Sequence, residues 1–278
     1  MAESPSVSDK RRVFRALHQS GCFVIPNPWN AGSARYLEGL GFKALASTSS
    51  GYAHAQGYAD GDMTLDAALT HFRELVAATS LPVNGDFEGG FADAPDGVAA
   101  NVTRCIETGV AGLSIEDFTG NEESPLYDFD LALARVKAAR AAIDKAGGDV
   151  VFTARTEGFI HGRPDLAEAI KRLKAFSDAG ADCLYAPGIK TREHIVEVVK
   201  AVAPKPVNFL NPAALGFTVA DLAKMGVRRI SVGGTLARVA MDAFAKSARQ
   251  IATQGTFDSF AGIMSNAELN KFFKSGKS

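Results

Sequence analysis

The sequence predicts a (β/α)8 barrel of the TIM type with an additional C-terminal helix, and three observations carry that prediction. Eight short apolar runs alternate with segments of helical period almost to the end of the chain, as in a parallel sheet with crossover helices. Four helix ends share one joint, a Gly followed directly by the next apolar run. The chain has 278 residues and 46% hydrophobic content, enough to bury a large core and close to the ~250 residues of one barrel. Residues 1–278 are therefore expected to form a single barrel domain, with 255–278 as a C-terminal helical extension.

In chain order, the strand candidates are 22–26, 44–48, 82–87, 112–117, 150–156, 183–187, 206–211 and 229–233. Helical period is clearest over 65–79, 130–146, 165–179 and 219–225. The joints are Leu40-Gly41-Phe42, Thr108-Gly109-Val110, Ala179-Gly180-Ala181 and Met225-Gly226-Val227. A Gly just past a helix takes the left-handed conformation that ends it. An open dinucleotide-binding sheet would want G-x-G-x-x-G after the first strand. That segment reads Pro26-Asn27-Pro28-Trp29-Asn30 instead. The tail carries Phe257, Phe260, Ile263, Met264, Leu269, Phe272 and Phe273. So much apolar surface needs cover, from its own barrel or from a neighbouring subunit.

Charge is balanced, with 30 Lys+Arg against 31 Asp+Glu, which makes nucleic acid a poor partner. The first residues lack the apolar stretch of a signal peptide, and no run is long enough for a bilayer. A cytoplasmic protein is expected. Cys22, Cys105 and Cys183 lie far apart in apolar contexts and are read as buried free thiols. His18, His71 and His194 fall in helical runs and are expected on the barrel exterior; Glu122 and Glu123 are expected as a solvated loop pair.

The active site of such a barrel lies at the C-terminal ends of its strands. There the sequence places Ser47, Thr48, Ser49, Ser50 and Gly51 after the second strand, and Asp86, Glu88, Gly89 and Gly90 after the third. Glu116-Asp117 ends the fourth strand and Arg155-Thr156-Glu157 the fifth; Asn208 and Asn211 belong to the seventh. The loop after the second strand adds His54, Asp60 and Asp62. Carboxylates converging on one mouth repel unless a cation lies among them. Oxygen ligands without a His or Cys cluster point to Mg²⁺, with Mn²⁺ as alternative. Arg155 offers a planar fork for a substrate carboxylate. The Ser/Thr-rich turn offers hydroxyl and N–H donors for the other end of an acid or for an enolate oxygen. Each feature taken singly has a plain structural reading: Glu116-Asp117 as a helix cap, Asp86 as a turn residue, Gly89-Gly90 as a turn. Trp29 either stacks on substrate or caps the barrel; His54 and His161, on loops near the mouth, are acid/base candidates.

These motifs resemble the isocitrate lyase/phosphoenolpyruvate mutase superfamily. The resemblance rests on Asn30-Ala31-Gly32-Ser33-Ala34-Arg35, Ala46-Ser47-Thr48-Ser49-Ser50-Gly51, Gly57-Tyr58-Ala59-Asp60-Gly61, Gly85-Asp86, Ser114-Ile115-Glu116-Asp117 and Thr153-Ala154-Arg155-Thr156. It implies a Mg²⁺-binding barrel that stabilises an enolate-like species from a 2-oxo acid, usually as a tetramer that exchanges a C-terminal helix. It implies Asp86 as direct metal ligand, Asp60 and Glu116 acting through metal-bound water, and Arg155 as carboxylate clamp. Ser47, Thr48 and Ser49 would bind the other end of the oxo acid. Trp29, Asn208 and Asn211 complete the expected substrate-binding set.

The chain departs from the family in three places. The lyases' Lys-x-Cys-Gly-His loop is replaced by Phe118-Thr119-Gly120-Asn121-Glu122-Glu123-Ser124-Pro125-Leu126-Tyr127. The usual Asp-x-Asp reads Asn84-Gly85-Asp86, with Glu88 placed to supply the missing metal-shell carboxylate. Where the lyases carry a Glu after the sixth strand, this chain has Ala186-Pro187-Gly188. The pattern is that of a divergent, carboxyvinyl-carboxyphosphonate phosphorylmutase-like member without the catalytic Cys. The expected function is a Mg²⁺-dependent C–C lyase or decarboxylase acting on a small 2-oxo or 2-hydroxy di- or tricarboxylic acid, in a dimer or tetramer. The alternatives are P–C chemistry on phosphonopyruvate-type substrates and a non-catalytic oxo-acid-binding barrel.

Overall fold

The computed structural model describes residues 5–275. All eight expected strands form: β1 (Phe23–Ile25), β2 (Leu45–Ala46), β3 (Val83–Asp86), β4 (Gly112–Glu116), β5 (Val151–Arg155), β6 (Cys183–Tyr185), β7 (Val207–Leu210) and β8 (Arg229–Ser231). They are parallel and ordered β1-β8-β7-β6-β5-β4-β3-β2. A backbone hydrogen bond from Ala46 N–H to Pro26 C=O, 3.1 Å, spans the remaining gap between the two ends. The result is a nearly closed (β/α)8 barrel.

The helices are α1 (Val7–Leu17), α2 (Ala31–Gly39), α3 (Ser49–Gln56), α4 (Leu65–Ala78), α5 (Pro95–Ile106), α6 (Phe129–Lys145), α7 (Leu166–Asp178), α8 (Arg192–Val202), α9 (Val219–Lys224), α10 (Thr235–Gln254) and α11 (Asn266–Ser275). Their starts are written locally. The Asn30, Thr48, Thr64, Asp165 and Thr191 side chains each accept a first-turn N–H, replacing the partners that a helix start lacks. The four Gly joints behave as expected, with φ of 87° at Gly41 and Gly109, 99° at Gly180 and 88° at Gly226.

Alternation along each strand sends one set of side chains outward to the helices and the other into the barrel. Ile230, Phe209, Leu184, Phe152 and Leu113 join the apolar layer under the helices. The inward set is polar: Asn84, Ser114, Thr153, Asn208, Arg229 and Ser231 are all buried. Across the barrel floor lies α1, with Phe14 packed among Ile25, Ala44, Ala46, Ala111 and Val151.

Two expectations need correction. His18 and His71 are buried, at 9% and 2% exposure, not on the exterior. His18 lies between Phe14 and Phe23; His71 stacks on Tyr52 at 3.9 Å. Phe14 and Phe23 are close to His18 in sequence, but Arg229, against its Nε2, is 211 positions away, and Tyr52 covers His71 from another helix. Cys105 and Cys183 are buried as expected, while Cys22 is only half-buried.

The C-terminal segment contrasts with the rest. In the twenty residues of α10 only Ala237 is buried, whereas Val239, Met241 and Phe244 are 61%, 47% and 67% exposed. Phe272 of α11 packs against α2, stacked on Tyr36 at 4.3 Å. Phe257, Phe260, Ile263, Met264 and Phe273 remain exposed.

Candidate active site

The mouth is organised around Arg155 at the end of β5. Its Nη1 donates to Asp86 Oδ1 at 2.7 Å, its Nη2 lies 3.1 Å from Glu116 Oε2, and its Nε donates to Glu157 Oε1 at 2.9 Å. These acids come from β3, β4 and the residue two beyond Arg155 itself, so adjacent parallel strands deliver the cluster. Asp86 Oδ2 accepts from both the N–H and Oγ of Ser49, each at 3.0 Å. The Asp86 N–H donates to Ser47 Oγ at 2.7 Å. Thr48 caps α3 by accepting from Gly51 N–H. Asn27, which the sequence reading passed over, donates to Ser47 C=O and accepts from Val232 and Gly233 N–H. It ties β1, β2 and β8 together at the rim.

Asp60 and Glu88 join the same region. A cleft of about 610 Å³ is lined by Asp60, Glu88, Glu116, Arg155, Glu157 and His161, among others. A second cavity, about 240 Å³, is lined by Ser47, Thr48, Ser49, Asp60, Asp86 and Arg155 and continues into the barrel to Asn84, Ser114, Asn208, Arg229 and Ser231. Five carboxyl groups thus face one guanidinium. Burial, then Asp86 and Asp60, pushes Glu88 up to about 7. Burial and Asp86 raise Asp60. Glu116 is raised well above its ordinary value by burial, which outweighs Arg155, with Glu157 adding to the rise. Arg155 is held charged: burial opposes this, and Glu116, Glu157 and Asp86 overcome it.

That surplus of acidic oxygen fits a hard divalent cation. Among the described residues no three His, Cys, Asp or Glu side chains are grouped to cage a metal directly. The donor set therefore suits an ion held by one or two carboxylates and otherwise by water, the habit of Mg²⁺. Asp86, Asp60, Glu88 and Glu116 are the carboxylates that would hold such an ion.

The loop carrying Glu88 is held in an unusual shape. Glu88 and Phe91 both adopt left-handed conformations, φ 45° and 54°, which cost of order 1–3 kcal/mol each outside Gly. Arg135, buried on α6, donates to the carbonyls of Gly89, Ala92 and Asp93. Tyr127 covers the guanidinium at 4.0 Å, and its hydroxyl donates to Asp93. The loop therefore needs α6 to keep its form.

The remaining expected residues divide. Asn208 lines the cavity, but its amide is engaged: Oδ1 accepts from Arg229 and Nδ2 donates to Ser231. Trp29 and His54 line a separate apolar groove of about 430 Å³ against α10. Asn211 lines neither mouth cavity, and its buried Oδ1 has no partner. Asp117 turns away and is buried, accepting from Thr156 Oγ1, Glu157 N–H and Arg172 Nη1. Glu122 is exposed as expected, yet it accepts from His161 Nδ1 at 3.1 Å, while the His161 ring stacks on Phe118 at 3.7 Å. His161 is thereby fixed in the wall of the larger cleft.

Comparisons with known proteins agree with this fold. The phosphoenolpyruvate phosphomutase family profile matches residues 14–252. A solved Burkholderia cenocepacia protein, provisionally named a lyase/mutase, is 43% identical with a TM-score of 0.92, covering 96% of each chain. The structure of 2,3-dimethylmalate lyase is 26% identical with a TM-score of 0.83, over 97% of this chain and 95% of that one. Oxaloacetate decarboxylase from Paraburkholderia xenovorans is 28% identical over 261 residues, 90% of this chain and 84% of its own. Fold, strand-end acids and relatives converge: the chain belongs to the phosphoenolpyruvate mutase/isocitrate lyase superfamily.

Proposed function

We propose that this protein is a Mg²⁺-dependent lyase or decarboxylase that cleaves a C–C bond of a small 2-oxo or 2-hydroxy di- or tricarboxylic acid. The observation that carries the reading is the cluster of Asp60, Asp86, Glu88, Glu116 and Glu157 around Arg155, opening on the Ser47–Ser49 turn. A bound Mg²⁺, or Mn²⁺, would supply Lewis-acid stabilisation of the negative charge that develops on the oxo-acid oxygen.

The chain's own residues do the rest. Ser47, Thr48 and Ser49, bordering the N-terminus of α3, orient the acid through their hydroxyls; without substrate, Ser49 gives its hydroxyl and N–H to Asp86. Arg155 sets the positions of three carboxylates and holds positive charge at the reacting end. In decarboxylation of a 2-oxo acid, CO₂ leaves and the electron pair stays on the oxo-acid fragment as its enolate. In cleavage of a 2-hydroxy acid, a base takes the hydroxyl proton, the oxo acid is released and the pair stays on the carbon next to the other fragment's carboxylate. In both, a proton must return to carbon. We assign that role to His161, in support of which Glu122 engages Nδ1 and Nε2 has no protein partner among the described residues. Imidazole transfers protons near neutral pH. Phosphonate chemistry ranks lower, because the β4 loop brings Glu122 and Glu123 rather than cations.

The apolar face of α10 supports a homo-oligomer in which this helix packs on a neighbouring subunit.

The test is release of pyruvate or glyoxylate, with and without Mg²⁺, from oxaloacetate, substituted malates, methylisocitrate and phosphonopyruvate. Metal-dependent turnover of one carbon acid establishes the reading. Turnover of phosphonopyruvate alone replaces it with P–C chemistry, and silence across the panel favours a barrel that only binds oxo acids.

A further inference from the structure

Beneath the mouth, the barrel interior holds a cation with no counter-charge. Arg229 opens β8 and points inward, 3% exposed. Its Nε donates to Asn208 Oδ1 at 2.7 Å and its Nη2 to Thr153 Oγ1 at 3.0 Å. Its Nη1 lies 3.3 Å from His18 Nε2. His18 Nδ1 is 2.8 Å from Phe14 C=O, so that nitrogen carries the proton and Nε2 accepts from Arg229. Burial, reinforced by Arg229, pushes His18 down to about 3, which keeps the ring neutral. All three partners of the guanidinium are therefore uncharged. Among the described residues no carboxylate forms an ion pair with it. A guanidinium has five N–H groups. One on each terminal nitrogen is left without a protein partner here.

A buried charge facing only neutral groups is among the least favourable arrangements a fold can hold, unless a counter-ion completes it. The surroundings leave room for one. Arg229, Asn84, Ser114, Asn208 and Ser231 line the lower part of the same 240 Å³ cavity whose upper part is lined by Asp86 and Arg155. Asn84, 3% exposed, donates Nδ2 to Gly85 C=O at 3.2 Å and leaves its Oδ1 without a partner; that oxygen is an acceptor, so an anion there is held by Arg229 and not by Asn84.

We propose that this interior layer is a second anion subsite, in which Arg229 binds a carboxylate reaching down from the mouth. The planar fork matches a carboxylate with two parallel hydrogen bonds. Thr153, which Arg229 touches, precedes Arg155 by two residues on β5, so the two layers lie about 6–7 Å apart along the strand. A small dicarboxylic acid spans that gap end to end. The subsite thus selects acids with a second carboxylate over monocarboxylates. The identity of the guest as substrate rests on the oxo-acid function proposed above; the anion site itself does not.

Two sources of the anion are separable, a carboxylate and a small inorganic ion. Calorimetric titration of metal-free wild-type protein with succinate and with propionate, repeated on Arg229→Gln and Arg229→Lys, tests the first. The expected result is binding of succinate but not propionate, weakened about tenfold or more in Arg229→Gln and partly kept in Arg229→Lys. Wild-type crystals soaked in bromide, with and without succinate, test the second and need no variant to fold. An anomalous peak beside Arg229 that succinate displaces supports the carboxylate subsite. A peak that succinate leaves in place, with succinate affinity equal in wild type and Arg229→Gln, overturns the carboxylate assignment in favour of a structural halide. Absence of both the peak and the Arg229 dependence overturns the site altogether. Arg229-dependent succinate binding in a protein that turns over none of the panel acids would leave this subsite standing while the lyase reading falls.

Discussion

The mouth and the interior of this barrel have opposite electrostatic problems. At the mouth five carboxyl groups surround one arginine; one layer down, an arginine faces only neutral acceptors. Neither layer is balanced by the protein alone. The first lacks positive charge and the second lacks negative charge, and a metal–dicarboxylate pair would supply both. The difference shows how a fold can state its ligand by what it leaves unmatched. Surface ion pairs such as Arg12–Asp9 carry no such information, because water screens them.

Breaking the mouth should have the largest effect. Asp86→Ala removes the acid that joins Arg155 to Ser49, and it should lower metal-dependent kcat/KM by at least about a thousandfold with circular dichroism unchanged. Retained activity would remove Asp86 from the metal set. Arg155→Met leaves Asp86, Glu116 and Glu157 without their shared partner. Urea unfolding should show a loss of about 3–5 kcal/mol, together with a marked rise in KM for any acid it still turns over; an unchanged urea midpoint would show that the acids already shed their charge by protonation.

His161→Gln tests the wall of the larger cleft. It should reduce kcat by about a hundredfold with little change in KM, and equal loss in both constants would make His161 a binding residue instead.

The interior is probed by pH. The His18 proton affinity is lower in the folded chain, about 3, than in the unfolded chain, ~6.5. The unfolded state therefore takes up a proton first on acidification. Stability from this residue is complete above about pH 6.5 and falls as pH drops toward 3, by up to about 5 kcal/mol. His71, pushed by burial down to about 4, acts in the same direction. The difference in thermal midpoint between wild type and His18→Asn should shrink from pH 7 to pH 4; a constant difference would mean that the folded chain protonates His18 as readily as the unfolded one.

Much of the site was legible beforehand, for a definite reason. Strand ends of a parallel barrel share one face, so Asp86, Glu116 and Arg155 had to meet once the strands were recognised. Loop residues did not follow that rule. Trp29, in the turn after β1, and His54, on α3, came to rest against α10. Glu157 sat beside Arg155 in the sequence, yet only the backbone path past β5 returns its carboxylate to the guanidinium.

The sequence by itself determined the alternation of strands and helices, the Gly-terminated joints and the set of acids at the rim. These depend on local periodicity, capping and the parity of strand residues, which a linear chain displays directly. Arg229 stands in the eighth strand run beside Arg228 and Ser231, so its charge alone did not mark it as an interior residue. What it meets could be decided only by closure of the barrel, which brings together Thr153, Asn208 and His18, the last of them 211 positions away. The burial of His18 and His71 has the same origin: a helix's period shows that it has two faces, and only tertiary packing decides which one loses its water.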